Sequence, residues 1–379
     1  MQENTIQYII MAGNKFFLFL VGQKNNQWDK KCPIVAGEYM GYSSVFEMSR
    51  KLIPEIDLLL KKRFRILQTI HMASPVGRRT LADLLNMTER EVRNETALLH
   101  DQQLIKISQK GMICTELGYE VIEQLKQLYH EMSGLAKKEQ EIATAFGIER
   151  VMIVPGSFRD EASRVLLGKE GSQLLAKLVQ ANSKIAITGG SSVATLAPYL
   201  QPEEHLSSAQ FIAARGGIGE EMSQQANVLV SQFAKACNAT CKTLFLPEFL
   251  SQQAYIAMKA EPSVQEIIRL YEQVNVVIHG IGAAQEMAEK RGITEQEKAL
   301  LLEKGAVGEA FGNYFNEEGE IVHQIHTICI QPEHVKHSDH VIAIAGGAHK
   351  AKAIKAYLKR AAQQTILIID EEAANAMSL

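Results

Sequence analysis

Ile185-Ala186-Ile187-Thr188-Gly189-Gly190-Ser191-Ser192 is a short apolar run that breaks into glycines and hydroxyls, with a helical pattern, Val193 to Tyr199, directly behind it. An apolar run of this length closed by glycine reads as a buried strand. Glycines let a backbone come close to an anion, the hydroxyls donate hydrogen bonds, and the first N–H groups of the following helix point at the same spot. An empty strand-to-helix turn uses the same residues, so the stretch alone leaves both readings open.

Similar runs recur toward the C-terminus: Val151–Pro155, Phe211–Gly217, Thr243–Pro247, Val276–Gly282, Val341–Gly347 and Thr365–Asp370. Seven such runs with helical segments between them predict a parallel, doubly wound, Rossmann-like α/β domain over residues 141–379. Ligands of such sheets sit beyond the carboxyl ends of the strands, where these glycine loops lie. No G-x-G-x-x-G with a following acid is present, so a dinucleotide is not indicated. Arg215 precedes Gly216-Gly217, Lys290-Arg291 ends the helix behind His279-Gly-Ile-Gly282, and Lys350 follows Gly346-Gly347-Ala348-His349. Each is ordinary as a solvated charge. Together, at equivalent loops of one sheet, they point to an anionic ligand with more than one phosphate.

Residues 50–115 carry a different pattern. An amphipathic helix over Ile53–Ile70 is followed by two short helical segments, with Thr80 as N-cap of the first and a Thr88–Glu91 capping box opening the second. Arg90, Arg93 and Asn94 fall on the outer face of that second helix, opposite Val92, Thr96 and Leu99. Arg reads guanine and Asn reads adenine through paired hydrogen bonds in the major groove. A hairpin over residues 104–115 with Lys110 at its tip completes a winged helix-turn-helix, with Arg78, Arg79 and Lys110 placed for phosphates. From Glu116 to about Gln140 the pattern is continuously helical, and Val121, Leu125, Leu128, Met132 and Leu135 step by four and three. That seam predicts a coupling and dimerisation helix over 116–140, since a dimer matches a palindromic site.

The whole chain of 379 residues holds 40 Lys+Arg against 43 Asp+Glu, so no global field draws nucleic acid and the basic patch must be local. Five scattered cysteines fit reduced thiols in the cytoplasm rather than a disulfide framework. Neither Cys237/Cys241 nor the tract His323, His326, His334, His337, His340 has zinc-module spacing, so no metal is expected. The apolar segment Ile6–Val21 is interrupted and shorter than the ~20 residues a spanning helix needs. Lacking a small-residue cleavage site, it does not read as a signal peptide. Met40 and Met48 offer alternative starts, and residues 1–49 read as an extension outside the folded protein.

The motifs KRFRILQTI (62–70), GRRTLADLL (77–85), AITGGSS (186–192), AARGGIGE (213–220), QQAN (224–227), HGIG (279–282), AVGEAFGNYFNEEGE (306–320) and AIAGGAHKAKAI (343–354) stand in the order found in one bacterial family. Over residues 40–379 the chain resembles the SorC/DeoR-type sugar-phosphate-responsive repressors. The resemblance implies a cytoplasmic homo-oligomer, a dimer or tetramer, that binds double-stranded operator DNA of a glycolytic operon. It implies release when fructose-1,6-bisphosphate binds at Gly189, Gly190, Ser191, Ser192, Arg215, Gln225, Lys290, Arg291, Glu309 and Lys350, with no cofactor. The family's loop more often reads TGGTT; Ser191 and Ser192 keep its hydroxyls.

A scaffold that uses the winged helix to bind protein would show no salt-dependent DNA affinity, and two further rivals follow from the residues. A sugar-phosphate isomerase or deaminase shares such a scaffold and needs an acid/base pair, for which Glu309 and His279 are the candidates. Fold alone is no evidence of catalysis, and Glu309 reads as a charge-balancing acceptor, so no catalytic residue is assigned. A repressor answering a different sugar phosphate is the other.

Overall fold

The computed structural model describes residues 51–217, 222–247 and 250–377, and before them only the backbone of 6–12, 15–20, 23–24 and 27–28; side chains of 126–128, 131 and 132 are outside this set. The expectation for residues 1–49 falls mostly outside the described residues. Within it Ile6–Ala12 pairs antiparallel with Lys15–Leu20, and Gln23–Lys24 with Gln27–Trp28.

The N-terminal module comprises α1 (Ile56–Met72), α2 (Arg78–Leu85), α3 (Glu89–Asp101), and the hairpin β1 (Ile105–Ser108) and β2 (Gly111–Cys114). Phe64, Leu67 and Ile70 of α1 meet Leu81, Leu85, Val92, Leu99, Ile105 and Met112 in one core. Val76 bridges to Met112, adding a third extended segment beside the wing. The Thr88–Glu91 capping box forms as expected. Thr80 does not cap α2. The extended Gly77 takes that place, so the helix begins at Arg78 and Thr80 lies inside the first turn.

The continuous helix expected over 116–140 is two helices, α4 (Glu116–Met132) and α5 (Leu135–Phe146). Gly134 between them has φ +73°, the left-handed conformation that ends helices and that glycine adopts without strain. Val121 and Leu125 of the expected seam pack on the winged-helix core, while Leu135 and Ile142 enter the core of the α/β domain. The side chains of Leu128 and Met132 lie outside the described residues. The described part of the seam therefore faces inward, because both ends of the helix pair find apolar partners in their own chain.

The strands of the large domain are β3 (Arg150–Val154), β4 (Lys184–Ile187), β5 (Gln210–Ala213), β6 (Thr240–Lys242) and β7 (Val276–Gly280). A small antiparallel sheet follows, with β8 (Gly282–Ala283), β9 (Gly308–Ala310), β10 (Asn313–Phe315) and β11 (Ile321–Gln324), and then β12 (His340–Ile344) and β13 (Thr365–Asp370). The seven-stranded sheet is parallel, in the order β6-β5-β4-β7-β12-β13-β3. One expected strand is displaced: Thr243–Pro247 lies past the end of β6. The Asn227 amide holds Leu244 there, donating to its carbonyl at 2.9 Å and accepting its N–H at 2.8 Å. From β4 the chain winds outward through β5 and β6; from β7 it winds the other way. The carboxyl ends of β4 and β7 therefore flank a switch point, where the loops diverge and open a crevice.

Candidate functional site

A cavity of about 320 Å³ occupies that crevice, within the size range of small-molecule sites. The loop after β4 forms one wall with Thr188, Gly189, Gly190, Ser191 and Ser192, and a single helical turn, α7 (Ser191–Ala194), follows where a longer helix was expected. Glycine is required at 189, where a Cβ would come within 2.5 Å of the Gln224 carbonyl oxygen, and favoured at 190, where φ is +133°. Gly190 N–H donates to the same carbonyl at 2.8 Å. This brings Gln224 and Gln225, which precede α8 (Ala226–Cys237), into the wall.

Opposite lie Arg215 from the end of β5, Glu309 and Phe311 from the small sheet, Met287 and Lys290 from α9 (Ala284–Lys290), and Lys350 just before α10 (Ala351–Leu358). Glu309 is buried. Arg291 approaches its carboxylate to 3.0 Å and Arg215 to 3.7 Å, and Gly312 N–H donates to it at 2.7 Å. Burial pushes the Glu309 carboxyl up, but the two guanidiniums and the amide hold it below the usual carboxylate range. It is an anion fixed in place.

Lys350 is the contrasting group. It is 7% exposed, and among the described residues its ammonium has no hydrogen-bond or ion-pair partner. Burial depresses its pKa, with the Glu286 charge opposing. Glu286, to which no sequence motif points, gathers the local cations: Lys290 donates to it at 2.8 Å and His349 stands 3.4 Å away. Burial raises the Glu286 pKa, but Lys290, Lys350 and His349 together hold it low.

The cavity brings together Gly189, Gly190, Ser191, Ser192, Arg215, Gln225, Lys290, Glu309 and Lys350. Arg291 is the exception. Its guanidinium is fully buried behind Glu309, bonded to the Tyr314 hydroxyl at 3.0 Å, and does not line the cavity. The residue caps α9 and turns into the small cluster of Ala288, Ile293 and Tyr314 instead of the crevice. Phe311 and Glu286 escape sequence reasoning: neither belongs to a cation pattern or carries a phosphate-loop signal of its own, and their places follow only from the fold. Thr188 and Gln224 stand in stretches the sequence singles out, though neither is assigned to the ligand there.

His279 is unavailable for proton transfer to a ligand. Its Nδ1–H donates to Gly280 O at 3.0 Å, and Nε2 accepts from the Tyr357 hydroxyl at 2.8 Å. Burial lowers its pKa to about 4, which keeps the ring neutral. Among the described residues no cluster of three His, Cys, Asp or Glu could hold a metal ion, and no helix is long and apolar enough to cross a membrane.

On the winged helix, Arg90, Arg93 and Asn94 of α3 are exposed on one face, while Val92, Thr96 and Leu99 are buried on the other. Arg78, Arg79 and Lys110 are exposed as well. Glu95, on the inner side of α3, forms ion pairs with Lys62 and Arg63 of α1. Those two cations are thus tied to the module's interior edge, leaving the α3 arginines free of acidic partners among the described residues.

Comparison with known proteins agrees with both halves. The sugar-binding domain family matches residues 130–377, and the CggR N-terminal DNA binding domain matches residues 59–129. The chain is similar to the central glycolytic genes regulator of Priestia megaterium, at 38% identity over 337 residues, covering 87% of this chain and 97% of the relative. The regulator of the same name from Bacillus subtilis is 34% identical over 334 residues, covering 88% and 98%. Among solved structures, a SorC-family transcriptional regulator from Enterococcus faecalis matches with a TM-score of 0.59 and 38% identity, over 64% of this chain and 99% of that one.

Proposed function

The chain belongs to the SorC-type family of sugar-binding transcriptional regulators, and from that premise we propose that it represses a glycolytic operon and is released from its operator by fructose-1,6-bisphosphate. The observation that carries the effector class is Lys350, a buried ammonium lining the cavity with no hydrogen-bond or ion-pair partner among the described residues, the nearby Glu286 carboxylate being itself paired with Lys290. Leaving a charge buried and unpaired is costly, and an anionic ligand relieves that cost.

A bisphosphate offers two anions about one sugar apart. The Gly189–Ser192 loop, with its hydroxyls and the open amides of a first helical turn, suits one of them. Lys290 and Lys350, with Arg215 nearby, suit the other. Glu309 is held ionised, so it accepts hydrogen bonds from sugar hydroxyls and repels a misplaced phosphate. A charge-assisted bond to phosphate contributes roughly 1.5–3 kcal/mol, so the second cluster separates bisphosphate from monophosphate by about tenfold or more.

On the DNA side, Arg90, Arg93 and Asn94 contact base edges, and Arg78, Arg79 and Lys110 contact phosphates. Two copies together span the half-sites of an operator, in the cytoplasm. The test is a titration of DNA from upstream of the protein's own operon, repeated with fructose-1,6-bisphosphate and fructose-6-phosphate. Release by the bisphosphate at concentrations at least tenfold lower than by the monophosphate is expected. Equal action of the two sugars rules out the two-anion reading, and release by neither rules out the effector.

A further inference from the structure

Asp370, the last residue of β13, has a buried carboxylate shared between two loops. Oδ1 accepts Gly347 N–H at 2.9 Å and Ala373 N–H at 3.1 Å, and Oδ2 accepts Phe158 N–H. Gly347 belongs to the pocket loop that leads to Lys350. Phe158 belongs to residues 155–160, the loop from β3 into α6 (Glu161–Leu178). The two loops also touch directly, for a Cβ on Gly346 would come within 2.6 Å of the Phe158 ring.

Two residues beyond Phe158, Asp160 stands at the N-cap of α6, where an aspartate normally accepts a backbone N–H of its own helix. It makes no such bond. Its carboxylate turns outward and accepts from Arg65 Nη2 at 3.1 Å. Arg65 belongs to α1 of the winged helix, and its guanidinium lies over Gly156, where a Cβ would stand 3.2 Å from Nη2. The base of the loop is anchored by Glu371, which accepts Gly156 N–H at 3.1 Å, and by Glu372, which accepts from the Ser157 hydroxyl. An unbroken series of contacts thus runs from the pocket loop through Asp370 and Phe158 to Asp160, and across to Arg65.

We propose that Asp160 and Asp370 are positioning residues that transmit occupancy of the cavity to the DNA reader, with the Arg65–Asp160 ion pair as the latch between the two modules. The trigger rests on the reading of the cavity as a sugar-phosphate site; the latch itself does not. An anion drawn to Lys350 pulls on Gly346–Lys350. Because Gly347 and Phe158 donate to one carboxylate and Phe158 packs on Gly346, the loop bearing Asp160 moves with it. Arg65 is then released, and α1, on which the recognition helix packs, is no longer held to the α/β domain. The pair is only partly buried, with side-chain exposures of 34% and 18%, which gives a link weak enough to open.

The test uses the full-length protein, with operator affinity read by fluorescence anisotropy and sugar uptake by calorimetry. Asp160→Asn and Arg65→Gln are each expected to lower sugar-free operator affinity roughly fivefold, the scale of one partly exposed ion pair. Both are expected to shrink the further effect of fructose-1,6-bisphosphate, and its calorimetric affinity for the DNA-free protein is expected to rise by up to the same factor, since sugar no longer has to open the pair. The charge swap of Arg65→Asp with Asp160→Arg is expected to restore both properties, which a merely structural role would not allow. Wild-type operator affinity in Asp160→Asn overturns the latch, including the case where Arg65→Gln alone is weakened and Arg65 is therefore a phosphate contact. A swap no better than the single variants overturns it too. If the wild type takes up no fructose-1,6-bisphosphate, the effector assignment fails, while the sugar-free comparison still decides the latch.

Discussion

Arg291 and Lys350 look alike in the sequence, each a cation beside a glycine-containing loop, yet their surroundings give them opposite roles. Arg291 is locked to Glu309 and Tyr314. Removing it by Arg291→Met leaves a buried carboxylate with the Gly312 N–H and only the more distant Arg215 as a charged partner, and breaking such a pair costs about 3–5 kcal/mol. Thermal unfolding should show that loss with or without sugar. Lys350→Ala should do the reverse: stability holds or rises as an unpaired buried charge disappears, operator binding without sugar persists, and the affinity for fructose-1,6-bisphosphate in calorimetry falls about tenfold or more. Sequence spacing places both residues near the crevice. It cannot tell them apart, because which way a side chain turns at the end of α9 depends on Tyr314, far along the chain in the small sheet.

At the level of elements, α3 is the most legible part of the chain. Its capping box, buried face and outer Arg/Asn face are all local patterns, fixed within a few turns of one helix. Arg90→Ala and Arg93→Ala should each cost about 1–3 kcal/mol on the operator and relax preference at one position, as competition with base-substituted operators reports. Lys110→Ala should weaken every sequence alike and lower the slope of affinity against salt by about one counter-ion. The seam across α4 is less legible for a physical reason: a heptad pattern says that a face is apolar, not what covers it. Val121 and Leu125 meet the winged-helix core, and Gly134 stops the helix before the pattern can extend. Likewise the apolar run Thr243–Leu246 draws the expected strand past the true β6, since Leu244 is held by Asn227 rather than by the ladder.

For the molecule as a whole, the buried His279 ties stability to pH. Its pKa falls from the ordinary 6.5 to about 4 on folding, so the unfolded chain binds the extra proton between those values. Its contribution is fully present above about pH 6.5 and is lost as pH falls toward 4, by up to about 3 kcal/mol. Urea midpoints at pH 7 and pH 4.5 should therefore differ more for the wild type than for His279→Gln. The topology carries a consequence for the order of synthesis. β3, the first strand of the large domain to leave the ribosome, pairs with β13, the last. The winged helix ends at Cys114, long before Asp370 emerges to fix Phe158 and Gly347. N-terminal domains generally fold during synthesis, so each newborn chain folds its winged helix before the residues that tie it to the cavity, and a transcript cut short before residue 365 encodes a winged helix without the Asp370 carboxylate that joins the pocket loop to the loop bearing Asp160.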